Sequence, residues 1–211
     1  MATRARSLPQ QRRAREMRRS LLDSALKLIA KRGAESLTTQ AVADAAHVSI
    51  GTVYRYFPDR GAILAELIDE AARDISFLLV RGVSAALDRE VGDGALIVVD
   101  TLTSAYEKHA PILHAALTAS SFDVPAYLNH TAMADIERSL LPLGNAIPRR
   151  ARPDLSAAEL DDLVFLTMGV TSSACLRIAL QRPAGSDRDG MVKVTARMLA
   201  AALTPLRSLE G

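Results

Sequence analysis

Gly33 and Pro58 bracket a stretch with room for no more than two short helices, and that spacing constrains the N-terminal fold more than any bulk property. Gly33 follows "IAKR": cations in a last helical turn, then a residue that tolerates left-handed backbone, make a C-terminal stop. Upstream, from about Gln11, Leu22, Ala25, Leu26 and Ile29 recur at three- and four-residue spacing and define one helical face. Residues 1–9 read as a flexible arm ending at Pro9. Downstream, Leu37 is expected to enter the core after the turn. "TTQAVADAA" then reads as a short second helix, capped by Thr38 or Thr39, with Val42 and Ala45 inward. His47-Val48-Ser49 form a tight turn. Ser49 caps a third helix, Ile50 to about Tyr56, whose Val53 and Phe57 lie four apart and face inward. Pro58 ends it, and Asp59 caps a fourth helix from Arg60 to about Arg81. That helix carries Ile63, Leu64, Leu67, Ile68, Ala71 and Ile75 as its apolar stripe.

The remainder reads as helices near 93–109, 111–120, 123–146, 156–181 and 187–206. They are separated by Gly92 and Gly94, Pro111, Pro125, "GNAIPRRARPD" (144–154) and "RPAGSDRDG" (182–190). No alternating pattern of useful strand length occurs. "ALIVVD" (95–100) could form a short strand, but its neighbours are helical. With 49% apolar residues, only 4% aromatics and abundant Ala and Leu, the expected class is all-α, with about nine helices. A single cysteine, Cys175, excludes an internal disulfide framework and fits a reducing cytosol. No apolar run is expected to reach the roughly 20 residues of a membrane span, and the Arg-rich start lacks a following hydrophobic signal core.

The net charge of +2 conceals an asymmetry. Residues 1–60 carry 12 Lys/Arg against 5 Asp/Glu, a net +7, whereas residues 61–211 carry 14 against 19, a net −5. A basic N-terminal module suited to a polyanion is therefore joined to an acidic body, and the domain boundary is placed between 1–58 and 59–211. Much of the charge lies in Arg4, Arg6, Arg12, Arg13, Arg15, Arg18 and Arg19. They could reach phosphates or a minor groove, or form a solvated tail.

Two short helices separated by a three-residue turn, within a basic three-helix unit, describe a helix-turn-helix. The second of them, 50–56, is the candidate recognition helix. Its outward residues suit duplex DNA. The Thr52, Tyr54 and Tyr56 hydroxyls can donate to phosphate oxygens. Ser49 and Gly51 keep the helix N-terminus open, so its free N–H groups and partial positive charge can approach an anion. Arg55 can fork onto guanine O6 and N7, Ile50 can touch a thymine methyl, and Arg60 can clamp a flanking phosphate.

"LTTQAVADAAHVSIGTVYRYFPDRGAIL" (37–64) resembles the DNA-binding region of the tetracycline-repressor (TetR) family of transcriptional regulators. The resemblance rests on Thr38-Thr39, "VADAA", the Val48-Ser49, Gly51-Thr52, Tyr54 and Tyr56-Phe57 pattern, and the basic Arg60. It covers about 50 residues, from roughly 15 to 65; the other 150 or so match only in length and helical character. It implies that Thr39, Thr52, Tyr54, Tyr56 and Arg60 hold phosphates while Gln40, Ile50 and Arg55 face base edges. It also implies a larger helical domain for ligand binding and dimerisation, a homodimer on palindromic double-stranded operator DNA, and release by a small-molecule effector, with no cofactor. Three positions depart from the family pattern. His47 stands where a turn glycine is usual, Ile50 replaces a commonly polar residue, and Gly61 occupies the first turn of the fourth helix.

Candidates to line an effector site are Tyr106, His109, Leu113, Leu117, Phe122, Tyr127, Met133, Phe165, Met168 and Cys175, for most of which plain core packing is the favoured alternative. Sparse polar residues here point to an apolar or aromatic effector. His109 and His114 are five apart, off one helical face, and His130 is a third; with no acidic partner beside them, no metal site is expected. Within the helices 156–181 and 187–206, "LVFLTMGVTSSACLRIAL" and "MVKVTARMLAAAL" are apolar. Gly169, Ser172, Ser173 and Ala174 would admit close helix approach, as a core or as a dimer-forming four-helix bundle. The chain shows no nucleophile elbow, no phosphate-cradling glycine loop and no His-Glu-x-x-His motif, so no enzyme is expected and no catalytic residue is assigned. The competing possibilities are a helical interaction protein or an activator without small-molecule control.

Overall fold

The computed structural model of the chain describes residues 7–118 and 146–205. Phe122, Tyr127, His130 and Met133, with nearly all of the helix expected at 123–146, lie outside the described residues. Among the described residues the architecture is all-α: α1 (Ser7–Arg32), α2 (Thr39–Ala45), α3 (Ile50–Tyr56), α4 (Arg60–Ala86), α5 (Val91–Lys108), α6 (Ala110–Thr118), α7 (Ala146–Ala151), α8 (Ala157–Gln181) and α9 (Arg188–Leu203), with one 3₁₀ turn at Ala34–Ser36. Residues 95–100, the one stretch with strand character, lie inside α5. Helix α1 begins at Ser7, so the expected arm is helical from there, and α4 runs five residues beyond Arg81. A short helix, α7, occupies the expected break at 144–154.

The described residues divide into two compact units. The first gathers residues up to Ala71 with α6; the second gathers α4 from Ala72 onward with α5, α7, α8 and α9. In the first, α2 packs against both α1 and α3. Their shared core is Leu21, Leu22, Ala25, Ile29, Leu37, Val42, Ala43, Val53 and Phe57, each at most 3% exposed. Two inward assignments are corrected. Leu26 is 37% exposed, while Leu21 is fully buried. At about 100° per residue, Leu21, Leu22, Ala25 and Ile29 centre on one direction, and Leu26 sits nearly a right angle from it. On α2 Ala43, not Ala45, accompanies Val42 into the core. Ala45 falls on the far flank of Val42, and a helix of two turns has no second row to bury it.

Each end of these helices carries a local device. Gly33 adopts φ 80, a left-handed conformation that stops α1. The Thr38 hydroxyl accepts from Ala41 N at 3.0 Å and caps α2. Asp59 Oδ1 accepts from Ala62 N at 2.8 Å at the start of α4. A Cβ at Gly61 would stand 3.1 Å from that same oxygen, so the cap side chain would have to shift by a few tenths of an ångström to admit one.

In the second unit α5 packs against both α8 and α9, and these two pack against each other. Ser156 and Glu159 close a reciprocal capping box on α8, and Asp187 caps α9 through Gly190 N at 2.9 Å. Arg188 ties α9 to α5 through Asp100 at 2.8 Å, Glu107 at 2.9 Å and Ser104 at 2.8 Å. Burial by itself would lower the Arg188 pKa, but its hydrogen bonds to Asp100, Glu107 and Asp189 prevail and raise it. By length and composition alone, α8 among the described residues is apolar enough to cross a membrane, with 22% of its most apolar window buried. Its charge-free run, Leu163 to Leu176, is 14 residues long and includes small polar residues that do not break its hydropathy. One face of α8 packs on α5 and α9. The other leaves Phe165, Leu166 and Val170 at 78%, 61% and 58% exposure, and α9 leaves Val194 and Met198 at 47% and 59%.

Candidate nucleic-acid interface

Helix α3 presents two unlike faces. Val53 is fully buried and Phe57, the residue that ends the helix, is 1% exposed. Burial of such a side chain stabilises by roughly 1.5–3 kcal/mol, enough to fix which face turns outward. Opposite them, Tyr54 is 54% exposed, and Gly51, Arg55 and Arg60 are exposed. Ile50, Thr52 and Tyr56 are half-buried at the edges.

The N-terminus of α3 is held by Ser49, whose Oγ accepts from Thr52 N at 3.2 Å and lies 2.9 Å from the Thr52 hydroxyl. Ahead of it His47 adopts φ 55, the left-handed conformation that its turn position demands. The Thr39 and Tyr54 hydroxyls lie 3.4 Å apart, joining the start of α2 to the outward face of α3. Arg55 donates from Nη2 to the Tyr56 hydroxyl at 3.2 Å and stacks 5.1 Å above its ring. Gln40 donates to Asp44 at 2.8 Å along the exposed side of α2. Thr39, Ser49, Thr52, Tyr54, Arg55 and Tyr56 are therefore linked in these polar contacts on α2, α3 and the turn between them. Ile50 and Gly51 lie on α3 among them, Gln40 lies on α2, and Arg60 opens α4.

Behind α3 stands a residue that the sequence shows only as one arginine of a cluster. Arg18 of α1 donates from Nε to Glu66 Oε1 of α4 at 2.7 Å, from Nη2 to Glu66 Oε2, and from Nη1 to the Tyr56 carbonyl at 3.3 Å. Its guanidinium lies 4.6 Å over the Phe57 ring. The hydrogen bonds to Glu66 raise its pKa against the opposing effect of burial. Arg19 pairs with Glu70 at 2.9 Å. Their spacing gives no local signal, because the partners are about fifty residues away.

The expected effector residues fall into separate places. Tyr106 on α5 and Ser172 on α8 hydrogen-bond through their hydroxyls at 2.7 Å; burial first, opposed by that bond, raises the Tyr106 pKa. Cys175 is fully buried, its thiol 3.6 Å from the Val99 carbonyl, and burial raises its pKa. Met168 is half-buried on α8. Phe165, expected to line a pocket, turns its ring outward at 78% exposure, because the inward places on α8 belong to Leu160, Val164, Thr171, Cys175 and Ile178. Leu113 and Leu117 lie on α6 in the first unit, Leu117 at 52% exposure. His109 does have an acidic partner: its Nε2 lies 2.8 Å from Asp74 Oδ2, which also accepts from Lys108 Nζ at 2.7 Å. Those bonds, from Lys108 first and His109 second, hold the Asp74 carboxyl below its ordinary range. Among the described residues no three potential ligands gather into a metal site.

Residues 21–67 match the family model described as bacterial regulatory proteins of the tetR family. The chain is 33% identical over 110 residues to the HTH-type transcriptional repressor KstR of Mycobacterium tuberculosis, covering 49% of this chain and 46% of that protein. It is 32% identical over 104 residues to KstR of Rhodococcus jostii, covering 49% and 47%. The chain thus spans about half the length of the curated relatives it matches. Among solved structures, the fatty acid degradation regulator FadR of Bacillus halodurans aligns at TM-score 0.63 and 16% identity over 90% of this chain and 96% of that one. The TetR family regulator PfmR of Thermus thermophilus aligns at 0.59 and 16% over 88% and 99%. At those identities the likeness is one of fold. Residues 21–67, which hold the capped, outward-facing α3, thus match the DNA-binding region of bacterial regulatory proteins of the tetR family, and the described helices share the fold of the aligned regulators.

Proposed function

We propose that the chain is a ligand-responsive transcriptional repressor that binds a palindromic operator as a homodimer and is released by a small molecule. The observation that carries this is the outward face of α3. Tyr54, Arg55 and the open, Ser49-capped N-terminus stand clear of the core while Val53 and Phe57 anchor the helix from behind. In that arrangement the N–H groups of the first turn and the Thr39, Thr52, Tyr54 and Tyr56 hydroxyls would hold phosphates. Gln40, Ile50 and Arg55 would read base edges, and Arg60 would clamp a flanking phosphate. The repressor assignment is supported by the KstR relatives, which are HTH-type transcriptional repressors.

A second copy is the natural occupant of the exposed apolar face of α8 and α9. Two recognition helices about one duplex turn apart would then read a two-fold site. An apolar or aromatic effector in the second unit would bind the two spacings of the pair with different affinity. It would draw the helices out of register through α4, which continues from that unit into the first. Electrophoretic shift of DNA from upstream of the coding region should show a salt-sensitive complex. Arg55→Ala should weaken it by about 1–3 kcal/mol and relax base preference at one position per half-site. An unchanged complex with Arg55→Ala and Tyr54→Ala together would remove the basis for this function.

A further inference from the structure

Helix α3 is too short to set its own tilt. Seven residues make about two turns, and beyond Val53, whose carbonyl accepts from Phe57 N at 2.9 Å, the carbonyls of the last turn have no partner inside the helix. What holds its C-terminal end is Arg18. One guanidinium forks onto the Glu66 carboxylate, donates to the Tyr56 carbonyl at the end of α3, and covers the ring of Phe57, which follows it. Three elements therefore meet on one planar cation: α1, which supplies it, α4, which orients it, and the end of α3, which it caps. The charge also suits the site, since a cation at the C-terminus complements the helix dipole and leaves the N-terminal end for an anion.

We propose that Arg18 is a positioning residue for DNA recognition. Glu66 aims its guanidinium, and the guanidinium sets the tilt at which α3 presents Ile50, Tyr54 and Arg55. This rests on the assignment of α3 as the DNA-reading helix. Arg18 itself touches no base. Its fork is spent on Glu66 and Tyr56, so its effect on the duplex passes through the angle of α3. A lysine keeps the charge but cannot fork onto a carboxylate, reach a carbonyl and stack on a ring at the same time. Tilt matters more for base edges than for phosphates, because base contacts demand alignment to within a fraction of an ångström, whereas non-specific binding is electrostatic.

The test compares wild type, Arg18→Lys and Glu66→Ala as full chains, each checked for native helicity at 25 °C. Each is titrated against a duplex that wild type selects from a random-sequence library and against poly(dI-dC) at the same salt. The ratio of specific to non-specific affinity is expected to fall about tenfold in both variants, with Arg18→Lys changing the poly(dI-dC) affinity less than about twofold. A purely structural role would lower the melting temperature and leave the ratio of the folded protein unchanged, and that result overturns the proposal. So does an equal loss on both DNAs in Arg18→Lys, which would make Arg18 a direct phosphate contact. If wild type selects no duplex at all, the DNA-binding assignment fails instead, so the two failures are distinct.

Discussion

Phe165 offers the sharpest test of how this chain associates. It is 78% exposed on α8, which also exposes Leu166 and Val170, while α9, packed against α8, exposes Val194 and Met198. A phenylalanine side chain presents about 150–200 Å² of apolar surface, so roughly 150 Å² of it stands in water in the single chain. Truncation to alanine removes roughly 100 Å² of that, worth about 2.5 kcal/mol at 25 cal/mol per Å² if the ring is covered by a second copy. In a two-fold interface the loss occurs twice, about 5 kcal/mol, or between three and four orders of magnitude in the dimer dissociation constant. Incomplete burial reduces this, and the expected weakening is at least about a hundredfold. Because the ring makes so little contact within its own chain, Phe165→Ala should fold with unchanged helicity. Sedimentation velocity across a dilution series reads the outcome directly: wild type as a dimer at low micromolar concentration, the variant shifting to monomer. An undiminished dimer would show that this face is not the contact. A variant that unfolds would show that Phe165 supports its own chain after all.

Three further outcomes follow from particular contacts. His47→Val should cost about 1–2 kcal/mol by thermal denaturation, since a β-branched residue resists φ 55, while His47→Gly should stay within about 0.5 kcal/mol of wild type. Asp74→Asn should lower stability by about 0.5–1 kcal/mol at pH 7, a surface-pair figure that suits its 35% exposed side chain and 58% exposed Lys108 partner. The sign with pH is fixed by the direction of its shift. A carboxyl with a depressed folded-state pKa contributes its full share above its unfolded value, near 4, and loses it as pH falls through the folded value. The gap between Asp74→Asn and wild type should therefore close in acid, and a gap that persists at pH 2 would assign the loss to shape rather than charge. Ser49→Ala should destabilise by about 1 kcal/mol in urea denaturation, the usual worth of an N-cap; no measurable change would mean that the bond to Thr52 N contributes nothing.

The helix-turn-helix was legible in the sequence because its determinants are local. Gly33, Thr38, Ser49, Pro58 and Asp59 act within one turn of themselves, and the Val53–Phe57 spacing needs no distant partner to assign a face. The left-handed backbone of His47 was foreshadowed only by the family resemblance, which puts a turn glycine at that position. Helix rotation was less legible: whether Ala43 or Ala45 joins Val42, or Leu21 rather than Leu26 faces in, depends on where α1 and α2 meet. The partners of Arg18, Arg19, His109 and Arg188 were hidden altogether. Glu66, Glu70, Asp74 and Glu107 lie tens of residues away, and charges alone carry no record of which of many opposite charges they will meet. The amino-acid order by itself determined the ends of α2 and α3 and the outward chemistry of α3, since these follow from interactions between residues a few positions apart. The tertiary structure alone decided that Arg18 braces the end of α3, that Asp74 engages His109, and that Phe165 faces water. Each of those depends on which helix comes to lie against which, a matter of whole-chain packing.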